Sequence, residues 1–169
     1  ICLWKINDGP IQNNNSILFY ELAHGDSSSF INYCSGTSYE KIYSSDIKNW
    51  INNFSPKKFA FIGSCNGLCS TGAGSFSYEF RKGSATGTAT IGYCGMGGSQ
   101  CASCWTYALN WQNNYFNYLS GGYAVKAAFD KANLDYPTCA ANNCMRFAGD
   151  PSLRLVNNSV GGCRSISFP

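Results

Sequence analysis

Two short pairs in this sequence carry residues able to break a covalent bond: His24-Gly25, and Ser64-Cys65, whose cysteine follows the histidine by 41 positions. A thiol set near an imidazole makes a nucleophile and its base or acid. The thiolate attacks a carbonyl carbon and the imidazole protonates the leaving amine. His24 is the only histidine in the chain, so no second imidazole competes for the role. Glycine directly after the histidine permits a sharp backbone turn and leaves its N–H exposed. With the Cys65 N–H it forms a candidate oxyanion hole, in which one donor is typically worth about 3 kcal/mol of transition-state stabilisation. The alternatives for the same residues are a hydrogen-bonded structural histidine and a cysteine that is half of a disulfide.

For such chemistry the two pairs must meet, and the flanking sequence says how. Residues 16–23 and 58–63 are apolar on both faces, as strands buried on both sides of a parallel sheet are. One run ends at His24-Gly25-Asp26 and the other at Ser64-Cys65-Asn66-Gly67. Parallel α/β sheets carry their sites beyond the carboxyl ends of strands, which puts both pairs on one sheet edge. Between the strands, Ser27 to Ser29 reads as a loop, and Ser44 or Ser45 caps a short helix with Ile47, Trp50 and Ile51 at helical spacing, ended by Pro56. Residues 75–82 read as a helix and 86–93 as a third strand. A helix over about 103–119 presents Trp105, Leu109, Gln112 and Phe116 on one face and stops at Gly121-Gly122. Another helix covers 124–133, and short strands at 145–148 and 153–156 flank the turn Gly149-Asp150-Pro151-Ser152. The expectation is a single domain over 1–169, a three-layer α/β fold with a mostly parallel sheet.

Composition narrows the setting. The 169 residues include 12 Lys/Arg and 9 Asp/Glu with no basic run, which argues against nucleic acid as a partner. No apolar run reaches the length of a membrane span. Ten cysteines are more than a reducing cytosol usually maintains, and point to a secreted or cell-surface protein. Three glycosylation sequons, at Asn14, Asn53 and Asn157, agree with that setting. Cys101-Ala-Ser-Cys104 has zinc-knuckle spacing but no second such pair and no nearby histidine, so disulfides are expected and a metal is not. Besides Cys65, the disulfide candidates are Cys2, Cys34, Cys69, Cys94, Cys101, Cys104, Cys139, Cys144 and Cys163. A local bridge such as Cys139 to Cys144 is one option. Cys65 bridged to Cys69 would silence the nucleophile. Since ten is even, a free Cys65 also leaves one other cysteine unpaired or bonded to another chain.

The strand-His-Gly and strand-Ser-Cys arrangement resembles the caspase-fold cysteine peptidases, and the downstream sequence resembles their gingipain type. There the strand Gly87-Thr88-Ala89-Thr90-Ile91-Gly92 leads through a polar loop to Trp105 and an amphipathic helix. The chain then reaches Phe147-Ala148-Gly149-Asp150-Pro151-Ser152-Leu153, similar to that family's terminal turn. The resemblance spans roughly residues 16–156. It implies Cys65 as nucleophile, His24 as general acid/base, Gly25 and Cys65 N–H groups as the oxyanion hole, and a pocket lined by Tyr93, Gly95, Met96, Gly97, Gly98 and Trp105. No cofactor is implied, and the partner is a peptide or protein substrate. In that family a strand-helix unit bearing acidic residues precedes the histidine strand. Here too few residues precede it, so the sheet is expected to lack that unit or to associate with an upstream fragment of the same precursor. Asp26 is the nearest candidate to orient His24, its alternative being a solvated loop residue. The competing expectation is a noncatalytic disulfide-rich extracellular protein on the same fold. Sparse charge and an open sheet edge would then let copies assemble into an envelope layer or filament.

Overall fold

The computed structural model describes residues 18–33, 39–51, 58–95, 102–137 and 145–155, with the backbone alone at 32, 33, 39 and 102–105. Six strands and four helices follow in the order β1 (Leu18–Glu21), β2 (Ser29–Tyr33), β3 (Tyr39–Tyr43), α1 (Ser44–Ile51), β4 (Phe59–Ile62), α2 (Phe76–Arg81), β5 (Ala89–Tyr93), α3 (Ala102–Ser120), α4 (Val125–Asp135) and β6 (Met145–Gly149). A four-stranded sheet runs β1-β4-β5-β6, and β2 and β3 form a separate ribbon. β1 pairs with β4 and β4 with β5 in parallel, while β6 lies antiparallel to β5.

Strand periodicity divides the core. In β4, Phe59 and Phe61 face one side and Ala60 and Ile62 the other, all fully buried. The first side packs Ile91 and Tyr93 of β5 against Trp111 and Tyr115 of α3 and Val125, Ala128 and Phe129 of α4. The second packs Ile47 and Ile51 of α1, Phe76 and Phe80 of α2, and Phe30 and Ile42 of the ribbon. The sheet thus lies between two helix pairs. Among the described residues no helix is long and apolar enough to cross a membrane.

Local chemistry sets the helix ends. The Asp46 carboxylate accepts the Tyr43 N–H at 2.8 Å, closing the first turn of α1. Ser75 caps α2 by accepting the Tyr78 N–H at 3.2 Å, and Lys82 ends it in the left-handed region at φ 49°. The last turn serves as a clasp. Asp150 accepts the N–H groups of Gly87 and Ser152 at 2.8 Å each, and Leu153 O accepts the Val125 N–H at 2.8 Å.

Three expectations need correction. Ser29, expected to end the loop from Ser27, instead opens a strand, because residues 29–33 pair with β3 from Ser29↔Tyr43 to Tyr33↔Tyr39. Leu109 is exposed, since α3 buries the neighbouring stripe Ala108, Trp111, Gln112, Tyr115 and Leu119 instead. Residues 153–155 form no strand, because Leu153 bonds to the start of α4 instead of a sheet neighbour. Pro56, and Asn14, Asn53 and Asn157 of the sequons, lie outside the described residues.

Candidate active site

Register decides where the chemistry-bearing residues fall. Glu21 pairs with Ile62 across the β1-β4 ladder, so His24 and Cys65 each lie three residues beyond one register position at the same sheet edge. Past Glu21 the chain leaves β4. The His24 carbonyl accepts the Ile31 N–H at 2.7 Å, Asp26 N–H donates to Ser29 O at 2.8 Å, and Gly25 forms an isolated bridge with Phe30. The two turns meet at Gly25, where an added Cβ would lie 2.5 Å from Ser29 O and 2.7 Å from Ser64 Cβ. Those separations admit only glycine.

Alternation along the backbone also orients the donors. Glu21 O points to β4, accepting the Gly63 N–H at 2.8 Å, and His24 O points to β2. Gly25 N–H therefore turns to the Ser64-Cys65 side, and it donates to no acceptor among the described residues. Cys65 N–H likewise has no acceptor there beyond its own thiol. Two unspent N–H groups thus flank the meeting point of the turns.

The turn after β4 is held from several directions. Gly67 N–H donates to Ser64 O at 3.1 Å, Leu68 N–H to Tyr93 O at 2.9 Å, and the Asn66 side chain accepts the Gly95 N–H at 2.8 Å. Asn66 itself sits at φ 60°, a left-handed conformation that asparagine tolerates better than most residues. Cys69 is bonded to Cys94, with Cα atoms 4.7 Å apart, tying this turn to the end of β5. Cys65 is a half-buried free thiol, and the Cys65 to Cys69 bridge does not form.

Cys65 packs against the α3/α4 side of the core. Behind that face a polar chain crosses from sheet to helix: Tyr93 hydroxyl donates to Gln112 Oε1 at 2.9 Å, and Gln112 Nε2 donates to the Tyr20 hydroxyl at 2.7 Å. Burial pushes the Cys65 thiol above its ordinary value, and the charge of Glu21 adds to the rise. The resting group is a protonated thiol at neutral pH. No hydrogen bond joins it to His24, which is exposed.

The other sequence candidates separate. Asp26 spends Oδ1 on the N–H groups of Ser28 and Ser29, at 2.8 and 2.7 Å, and on the Ser28 hydroxyl. Those bonds, the Ser28 backbone foremost, hold its carboxyl below the usual range. It closes its own turn and makes no hydrogen bond to His24. Tyr93 is fully buried, a core residue and not a pocket surface, whereas Gly95 is exposed at φ 83°. Met96, Gly97 and Gly98 lie outside the described residues, as do the Trp105 and Cys104 side chains and Cys2, Cys34, Cys101, Cys139, Cys144 and Cys163. No cluster of three or more metal-ligating side chains occurs among the described residues.

Three residues of this edge escaped the sequence reading. Asn66 had a signal in its Asn-Gly pair, a turn former. Gln112 had none beyond being the polar residue of an apolar stripe. Glu21 had the clearest, as the only charged residue in an apolar strand three positions before His24. It is fully buried, and its Oε2 accepts the Ser64 N–H at 3.1 Å. Compared with protein-family models and with curated proteins, the chain matches none.

Proposed function

We propose that this chain is a secreted cysteine endopeptidase of caspase-like fold and gingipain type, cleaving peptide bonds with Cys65 and His24. One observation carries the reading. Adjacent parallel strands end in register, so that His24-Gly25 and Ser64-Cys65 abut, and the cysteine at that junction is outside the nearby disulfide.

The chemistry then follows from the groups present. Because Cys65 rests as a thiol, His24 takes its proton as sulfur attacks the substrate carbonyl carbon. The carbonyl oxygen gains negative charge, which the Gly25 and Cys65 N–H groups receive. Collapse of this intermediate breaks the C–N bond, and His24 returns the proton to the departing amine. Water, deprotonated by His24, hydrolyses the remaining thioester and restores the thiol.

Cys65→Ala is expected to abolish both peptide hydrolysis and alkylation by a peptidyl chloromethyl ketone, with the fold retained. Turnover surviving in that variant overturns the assignment. His24→Ala is expected to slow turnover about a hundredfold or more, and an unchanged rate removes it as the base. A second reading, a noncatalytic extracellular structural protein, draws on exposed Leu18 and Leu22 at the outer strand β1. It predicts self-association and no turnover against any peptide.

A further inference from the structure

The peptide that precedes the nucleophile hangs on one side chain. Glu21 accepts the Gly63 N–H through its main-chain oxygen at 2.8 Å and the Ser64 N–H through Oε2 at 3.1 Å. Both N–H groups leading into Cys65 therefore end on one residue of the neighbouring strand. The side chain lies on the α1/α2 side of the sheet, opposite the face on which Cys65 packs. Phe19 and Ala23, two positions to either side of it, belong to that side's core, and an added Cβ at Gly67 would touch both Ser64 Oγ and Ile62 Cγ2.

This is an unusual place for a carboxyl group. Glu21 is buried from water at 0% accessible, and among the described residues no ion pair forms at it. Among the described residues its Oε1 makes no hydrogen bond of good geometry, nor does the fully buried hydroxyl of Ser64, although the Ser64 hydroxyl and the Ser64, Gly63 and Ala23 N–H groups all act on the carboxyl. The helices packed on this face contribute Ile47, Ile51, Phe76 and Phe80, and no charged side chain of either acts on Glu21. The titratable groups that its charge does affect are Tyr20 on its own strand and Cys65 across the β4 turn. An isolated carboxylate would be expensive here, whereas a neutral carboxylic acid is tolerated.

We propose that Glu21 acts through Ser64 as the positioning residue for Cys65, holding the nucleophile's peptide in place from the opposite face of the sheet and setting how readily the thiol ionises. The inference rests on the peptidase reading for its role in turnover, but its effect on the thiol can be measured without any substrate. Burial pushes the Glu21 carboxyl up to about 8. The acid is thus neutral at neutral pH, and becomes a negative charge beside the thiol only above about 8. A like charge nearby raises a thiol's ionisation midpoint.

The test is the rate of Cys65 alkylation by iodoacetamide as a function of pH, read by peptide mass spectrometry in the wild-type chain and in Glu21→Gln. Glutamine keeps the acceptor for the Ser64 N–H and cannot ionise. The expected result is a Cys65 midpoint lower in the variant by about half a pH unit or more, equivalent to roughly threefold more thiolate at a given pH below it. An unchanged midpoint overturns the proposal, since a glutamate that merely fills space would leave the thiol's titration where it was. Should the variant fail to fold, carboxyl ¹³C NMR of glutamate-labelled wild-type protein decides. The chain has only Glu21, Glu40 and Glu79. One resonance titrating near pH 8 supports the proposal, and all three titrating in the ordinary carboxylate range overturns it. Absence of peptide hydrolysis with the midpoint shift present would sink the peptidase reading and leave the control of Cys65 by Glu21 intact.

Discussion

The two faces of the sheet treat their buried polar atoms differently. On the α3/α4 face, polar groups enter the core in matched sets: the Tyr93-Gln112-Tyr20 chain, and Trp111 Nε1 donating to Asn133 Oδ1 at 2.8 Å. Among the described residues, the Tyr115 hydroxyl is the one buried side-chain atom on that face without a partner. On the α1/α2 face three such atoms remain, Glu21 Oε1, Ser64 Oγ and Arg81 Nε. Each unsatisfied group costs roughly 1–3 kcal/mol. Two of the three sit directly beneath the turn that carries Cys65. A fold tolerates such misfits mainly where they serve something other than stability. The difference therefore marks the α1/α2 face below Cys65 as the place where the sheet edge gives up stability for an arrangement.

That contrast can be broken by pH first. A buried acid whose folded value is raised binds its proton more tightly in the folded state than in the unfolded one. Between the ordinary value of 4.5 and about 8, the unfolded chain has lost the Glu21 proton and the folded chain retains it. Folding stability should thus be highest below that window. It should fall through it at up to about 1.4 kcal/mol per pH unit from this group, then level off above pH 8. Denaturant unfolding at successive pH values measures the slope. Glu21→Gln should flatten it, and a slope that persists in the variant assigns it to other groups.

The Cys69 to Cys94 bridge supplies the next largest effect. It closes a loop of 25 residues between the Cys65 turn and the end of β5. Replacing both cysteines by serine should cost roughly 3 kcal/mol, and it should loosen the turn enough to raise the alkylation rate of Cys65. Equal stability with and without the bridge would mean that Asn66 and Leu68 hold the turn unaided. Smaller still is the matched set on the other face. Gln112→Ala takes a partner from the Tyr20 and Tyr93 hydroxyls, the latter keeping its bond to Ala108 O at 3.4 Å, and should cost about 1 kcal/mol, without moving the pH midpoint of Cys65. A shift of that midpoint would show that the Tyr93-Gln112-Tyr20 chain, on the face where Cys65 packs, also tunes the thiol.

Much of the scaffold was legible because it depends on local chemistry. The helix expected over residues 75–82 forms as α2, with a Ser75 hydroxyl cap at its start and Lys82 just past its end. The apolar runs before His24 and Ser64 became parallel neighbours, because strands buried on both faces need two neighbouring layers. The candidate site was legible as two pairs of residues, but the sequence reading assigned Asp26 by proximity alone. An aspartate two positions from serine N–H groups closes its own turn before it reaches a ring across the loop.

The sequence by itself determined the helices, the strands that end at His24 and Ser64, and the chemistry available at His24 and Cys65, since these follow from side-chain type and backbone freedom over a few residues. Only the tertiary structure decided the rest. Along α3, packing against Phe59 and Ile91 buried the 108-111-115 stripe, drew in Phe116 beside it and left Leu109 exposed. Ten cysteines admit many pairings, and the closeness of the turn after β4 to the end of β5 selected Cys69 with Cys94. One acidic residue in an apolar strand became a buried, uncharged acid because register set it beside Ser64, and distances across a sheet are fixed by the whole fold and by no segment of it.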